Sequence, residues 1–133
     1  MKPATEDIKD MLEADSGIAL VLGTDLFIGR EPNEPNNCAT LFDTPGRPRL
    51  TGVTDLRYDY PSVQVRVRNT GYVDGWTLIN DIALALHQRD KEIRNGSQYE
   101  SIACVVEPAL LDWDENDRAR FVTTFDIQRR PSQ

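Results

Sequence analysis

The stretch Pro61–Arg89, PSVQVRVRNTGYVDGWTLINDIALALHQR, contains a strand, a turn and a helix in succession, and its reading decides the fold. Val63, Val65 and Val67 alternate with Gln64, Arg66 and Arg68, which puts three β-branched side chains on one face of a sheet and wettable ones on the other. The strand breaks at Asn69-Thr70-Gly71, where Thr70 is placed to cap a helix and Asp74 to sit in its positive first turn. The period then becomes helical. Tyr72, Trp76, Ile79, Ala83 and Leu86 form an apolar stripe, widened by Val73 and Ile82, while Asn80, Asp81 and Gln88 fall off it. The pattern predicts one long helix over about residues 70–89, packed across one face of a sheet.

Outward from this unit, the N-terminal segment predicts a short helix with Thr5 as its cap, Glu6 and Asp7 in its first turn, and a seam of Ile8, Met11 and Leu12, ended by Gly17. Asp25-Leu26-Phe27-Ile28 reads as a short strand stopping at Gly29, and Cys38–Phe42 resumes an extended apolar pattern. The polar turn Glu31-Pro32-Asn33-Glu34-Pro35-Asn36-Asn37 between them predicts a hairpin with a long tip. Residues 43–60, DTPGRPRLTGVTDLRYDY, show no lasting period and read as a long loop, above the roughly 12 to 15 residues at which such loops are usually functional or disordered. Arg47, Arg49 and Arg57 make it the most basic part of the chain.

After the helix, Asn95-Gly96 marks a tight turn, and Ile102, Cys104 and Val106 alternate in a strand expected to end before Pro108. Asp112–Asp117 reads as a turn or a single helical turn. The last strand carries Phe121, Thr123, Phe125 and Ile127 on one face and leads to a frayed C-terminus. The expected fold class is therefore α+β: a mainly antiparallel sheet of about four to five strands, the long helix on one face, and a short N-terminal helix, all in one domain spanning residues 1–133.

Composition narrows the function. The 133 residues carry 15 basic and 22 acidic side chains, a net charge of −7, with a pI near 4.6. That balance argues against gripping nucleic acid by its phosphates, which needs a basic face. No apolar run approaches the roughly 20 residues that span a bilayer, and the acidic, amphipathic N-terminus is unlike a secretory signal, so the expectation is a protein made in the cytosol. Cys38 and Cys104 are expected to be reduced thiols.

Catalytic motifs are not apparent. Asp112, Asp114 and Asn116 match the first three ligand positions of an EF-hand loop, but Asp117 stands where that loop needs glycine and Thr123 where it needs glutamate, so no metal is expected. His87, the single histidine, has no nucleophile or carboxylate pair at a telling spacing, and neither a phosphate loop nor a cofactor fingerprint occurs. Trp76 reads as core, whereas Trp113, beside four acids, reads as an exposed anchor for a partner.

The segments GTDLFIGREPNEPNNCATLFDT, YPSVQVRVRNTGYVDGW with its helix LINDIALALH, and DENDRARFVTTFDI together resemble the minor capsid or tail-completion family of tailed bacteriophages, whose members are similar to the tail terminators of long-tailed phages. The resemblance covers roughly Gly23–Gln128, and its specific pieces are signatures of fold and interface. It implies a structural protein without cofactors, assembled in the bacterial host cytoplasm into the tail or neck of a virion. There it would form a ring of identical subunits, commonly a hexamer, that caps the tail tube, stops its polymerisation and meets the head-to-tail connector. DNA would pass through such a ring without specific binding, which suits an acidic chain. A head-completion or neck-adaptor role is the alternative. For the joint between subunits, the expected surfaces are the basic loop with Arg47 and Arg49 and the acidic surface of Asp112, Asp114 and Asp117 around Trp113.

Overall fold

The structure, a computed structural model, describes residues 2–47 and 58–131. Among the described residues, two helices, α1 (Ala4–Glu13) and α2 (Tyr72–Leu86), accompany six strands: β1 (Leu26–Ile28), β2 (Cys38–Arg47), β3 (Tyr60–Asn69), β4 (Glu92–Arg94), β5 (Ser97–Trp113) and β6 (Ala119–Pro131). All six form one sheet in the order β1-β2-β3-β6-β5-β4, curled as a half-barrel. Both helices contribute to the core on one face, where Val63, Val65, Val67, Phe121 and Phe125 meet Ile8, Met11, Leu12, Ile79, Ile82 and Leu86, all fully buried.

This architecture corrects the expected fold class. Strands dominate the chain, the sheet has six strands rather than four or five, and it is mixed, because β1 runs parallel to β2. The expected hairpin between those two strands does not form. A parallel pair usually needs a long crossover. Here β1 is only three residues long, so residues 29–37 are enough to retrace it and bring the chain back to Cys38.

The expected long helix is also cut short at both ends, to the 15 residues of α2. At its start Gly71 is extended, and its N–H donates to the Asn69 side chain at 2.8 Å. Thr70, expected as the cap, is drawn to Asn37 instead. At its end the sheet captures the chain: Gln88 turns to a left-handed φ of 65°, its N–H donates to Ile102 at 2.7 Å, and the Ile102 N–H donates to Arg89 at 3.1 Å. Hydrogen bonding to β5 thus takes over from the helical ladder just past Leu86. Thr5 likewise does not cap α1; its hydroxyl donates to Asp43 at 2.9 Å and fastens the helix to β2.

Trp76 and Tyr72 were expected within the core stripe, yet they are 42% and 45% exposed. The buried side of α2 is Gly75, Ile79, Ile82, Ala83 and Leu86. Gly75 explains the roll of the helix. A Cβ there would lie 2.6 Å from Cε2 of Phe121 and 3.1 Å from Cβ of Asn69, so only glycine lets the first turn of α2 settle onto the Phe121 ring. Tyr72 and Trp76 then flank that ring edge-on, at centroid distances of 5.2 and 6.1 Å, each with one side open to solvent.

β5 does not stop before Pro108 but continues to Trp113. It does so with register shifts against β6 between Cys104 and Val106, Val106 and Ala109, and Leu110 and Asp112. Pro108 is tolerated because β4 pairs only with Ser97–Tyr99, which leaves the outer part of β5 as a sheet edge where a missing N–H breaks no ladder. Far from that edge a buried polar cluster ties α1 to the strands: the Tyr99 hydroxyl donates to Asp7, Asn95 donates to Asp7 at 2.6 Å, and Arg129 bonds Asp59 at 3.0 Å. Burial, reinforced by the neighbouring Asp7, pushes the Tyr99 hydroxyl's pKa upward. Cys38 is a buried free thiol and Cys104 a partly exposed one, separated in the sheet by β3 and β6. No helix is long and apolar enough to cross a membrane among the described residues.

Candidate functional site

One end of the sheet gathers most of the segments that stood out in the sequence. The start of β2, the end of β3 and the β5–β6 turn share one register row, with Cys38 beside Arg68, Arg68 beside Arg120, and Arg120 beside Asp112. The Pro- and Asn-rich segment Glu31–Asn37 folds over this row, with three arginines holding it. Arg68, only 2% exposed, donates to the carbonyls of Asn36 at 3.2 Å and Pro35 at 2.6 Å and pairs with Glu31 at 3.3 Å. Arg118 donates to the Asn33 carbonyl at 2.7 Å and to Asp114 Oδ2 at 2.7 Å. Arg120 bridges Glu31 at 3.2 Å and Asp112 at 2.6 Å. A segment without apolar anchors is thereby fixed by charge-assisted hydrogen bonds, in which a fork-shaped guanidinium can satisfy several carbonyls at once.

The acidic turn is built into the same clamp. Asp114 accepts from the backbone of Asn116 at 3.0 Å and of Arg118 at 2.9 Å, closing the β5–β6 turn, where Asp117 takes a left-handed φ of 58°. Burial pushes the Asp114 carboxyl up, but the hydrogen bonds from Arg118 and Asn116 outweigh it and hold the pKa below the usual carboxylate value. The Arg120 hydrogen bonds likewise lower Asp112. Both carboxylates are therefore engaged inside the subunit. Among the described residues, no cluster of histidine, cysteine and acidic side chains is arranged to hold a metal ion.

Of the other residues expected at an interface, Trp113 is 50% exposed and stacks on Tyr72 with centroids 6.3 Å apart. Asp117 is exposed at the tip of the turn. Arg47 lies at the opposite end of β3, its guanidinium 4.6 Å from the Tyr60 ring centroid; of the expected 43–60 loop, residues 43–47 belong instead to β2 and Tyr60 to β3, and residues 48–57, Arg49 among them, lie outside the described residues. The structure thus groups Asp112, Trp113, Asp114 and Asp117, and sets Arg47 apart from them. Sequence reasoning missed Arg68, Arg120 and Glu31, because on a strand with alternating valines Arg68 reads as a solvent-facing residue. The signal that could have found them is the loop itself: seven polar or turn-forming residues, Glu31–Asn37, that need side-chain partners to be ordered.

Near this clamp, several large apolar side chains are exposed on α2 and on outer β5. Tyr72, Val73, Trp76 and Leu84 along α2, and Val105, Leu110, Leu111 and Trp113 along outer β5, are all exposed, Leu84 by 79%. Tyr72 stacks on Trp113, and Tyr72 and Trp76 stand on the same Phe121 ring, so these half-exposed aromatics form a shared surface of the kind that marks interaction sites. The arrangement offers shape and a rigid rim and fits assembly better than chemistry.

Comparison with known proteins agrees. A solved structure, described as the virion of a native gene transfer agent (GTA) particle, contains a chain that superposes with a TM-score of 0.71 at 14% identity, covering 94% of this chain and 92% of that one, which is a likeness of fold. No curated protein matches the chain. The family described as "Bacteriophage tail terminator protein" matches residues 16–130, from just after α1 to the last residues of β6, with every strand core and α2 inside the match. This chain belongs to the bacteriophage tail terminator family, a family of structural proteins of the phage tail.

Proposed function

We propose that this protein is a ring-forming tail terminator that caps the finished tail tube, halts its polymerisation and presents a surface to the head-to-tail connector. The observation that carries the reading is the family match over nearly the whole chain, with a rigid clamp and an exposed aromatic surface at one end of the sheet. The ring, commonly a hexamer in proteins it resembles, is built from copies of this chain. Trp113, with Tyr72 beside it, supplies affinity at the joint; Asp117 on one copy and Arg47 and Arg49 on the next supply steering, because exposed pairs are each worth only about 0 to 1 kcal/mol. A net charge of −7 lets DNA slide past without the counterion release that would hold it.

Negative-stain imaging of the purified protein mixed with tail tubes tests this. Rings seated on tube ends, with tubes no longer elongating, are expected. Rings that ignore tubes but bind isolated portal or connector complexes would make the protein a head-completion adaptor instead.

A further inference from the structure

The outward side of α2 is both apolar and acidic. It exposes Val73, Trp76 and Leu84 together with Asp74 and Asp81, and the helix contains no lysine or arginine. Leu84 forms a ridge between two grooves. One, of about 350 Å³, lies between α2 and outer β5 and takes in Trp76, Asn80, His87, Cys104 and Glu107; the other, of about 410 Å³, lies beside the segment that follows α1 and takes in Asp15, Ile18 and Asp81. Among the described residues, neither groove has a lysine or arginine in its lining. Asn80 donates through Nδ2 to the Trp76 carbonyl at 2.8 Å, which leaves its Oδ1 as an acceptor. Such a face is complementary to a segment that is cationic and apolar at once. This chain contains one: residues 47–57, RPRLTGVTDLR, carry Arg47, Arg49 and Arg57 against a single aspartate, with Leu50, Val53 and Leu56 among them, in a protein whose net charge is −7.

We infer that residues 48–57 of a second copy lie along the outward side of α2, with Leu50, Val53 and Leu56 against Trp76 and Leu84, and with Arg49 and Arg57 beside Glu107 and Asp81. The inference rests on the ring reading above and deepens it. The receiving face continues the joint assigned there, because Trp113 stacks on Tyr72, and Tyr72 and Trp76 stand on the same Phe121 ring. Length fits as well. Residues 48–57 join β2 to β3, so about five residues lead out and five lead back, a reach of about 17 Å at full extension. Trp76 and Leu84 are eight residues apart on α2, about 12 Å along its axis. In its own copy the segment faces an obstacle. α1 packs on β2, β3 and α2, fastened to β2 by the Thr5 bond to Asp43, and so stands between the segment and α2. Climbing a helix about 10 Å across and crossing about 9 Å to the next axis exceeds that reach. A neighbouring copy meets no such obstacle, and a contact in which each copy gives a segment and receives another on α2 is heterologous, so it propagates until the ring closes.

Asp81→Lys with Glu107→Lys reverses the receiving face, and Arg49→Glu with Arg57→Glu reverses the segment. Asp81 and Glu107 are exposed, so circular dichroism and the unfolding midpoint of the first variant should stay those of the wild type. Sedimentation velocity at low salt, with and without tail tubes, should show that each pair of reversals alone loses the rings and that all four in one molecule restore them, because every joint then pairs reversed partners. A photo-crosslinking residue at Leu84 in otherwise wild-type rings should give a covalent dimer whose joined peptide contains Leu50, Val53 or Leu56, and this result decides the assignment even where a reversal unfolds the chain. Rings that persist in either variant, a fourfold variant that folds without rings, or crosslinks within one chain, to tube protein or to another part of the neighbour would overturn the assignment while leaving the ring reading intact. A wild-type protein that forms no ring with or without tubes would overturn the ring reading, and this inference with it.

Discussion

Replacing Gly75 with alanine sets two effects of opposite sign against each other, and the structure decides between them. Alanine inside a helix is favoured over glycine by about 1 kcal/mol. Against this, the new Cβ would sit 2.6 and 3.0 Å from two carbons of the Phe121 ring, where ordinary contact needs about an ångström more. Phe121 is fully buried and held edge-on by Tyr72 and Trp76, so the ring cannot swing away and the first turn of α2 must lift. Overpacking of this kind costs about 1 to 3 kcal/mol, so the net expectation is a destabilisation of roughly 0 to 2 kcal/mol, up to about 8 °C in melting temperature for a domain of this length. Equilibrium denaturation of Gly75→Ala, Phe121→Leu and the double variant tests the cause as well as the size. With the ring gone, the alanine should become neutral or stabilising, and the cycle should return a coupling of about 1 kcal/mol or more. A Gly75→Ala protein more stable than the wild type would refute the claim that this glycine sets the roll of α2.

Leu86→Ala should cost about 2 to 5 kcal/mol by denaturant unfolding, because Leu86 is fully buried against the sheet, whereas Leu84→Ala, at an exposed position, should cost little. Asp114 has a folded pKa held below its unfolded value, so its contribution is complete above about pH 4 and fades as the pH falls through the lower folded value. The stability gap between wild type and Asp114→Asn should therefore be constant at neutral pH and close only in acid, as followed by thermal melts across pH; a gap unchanged in acid would contradict the linkage. Reversing Arg47 and Arg49 to glutamate should slow ring assembly at low salt and matter less at high salt, and Asp117→Lys in the same molecule should partly restore it, as read by sedimentation.

Much of the β3–α2 unit was legible in the sequence, because the alternation of Val63, Val65 and Val67 and the helical spacing of Ile79, Ala83 and Leu86 arise from the local geometry of strand and helix and need no distant partner. The buried face of β6 was legible for the same reason: Phe121, Thr123, Phe125 and Ile127 are all at most a few per cent exposed. Trp113 could be singled out as an exposed aromatic because no apolar period claims it. What local periodicity cannot carry is strand direction and the rotation of a helix about its own axis. The parallel run of β1 beside β2 depends on the path of residues 29–37, and that path is held by Arg68, Arg118 and Arg120, which come from strands far along the chain. Those guanidiniums lose water when the segment covers them and regain hydrogen bonds only where carbonyls and Glu31 converge, a condition defined in space alone. The exposure of Trp76 was likewise decided by tertiary contact, since the close approach of Gly75 to Phe121 turns the tryptophan outward from a stripe it shares in sequence. The sequence alone therefore determined the cores of α1, α2, β3 and β6 and most of the side chains they bury, because those follow from each residue and its near neighbours. Direction, register past Pro108 and the surface left for a partner were decided by the tertiary structure, because they depend on which distant groups can satisfy one another once water is excluded.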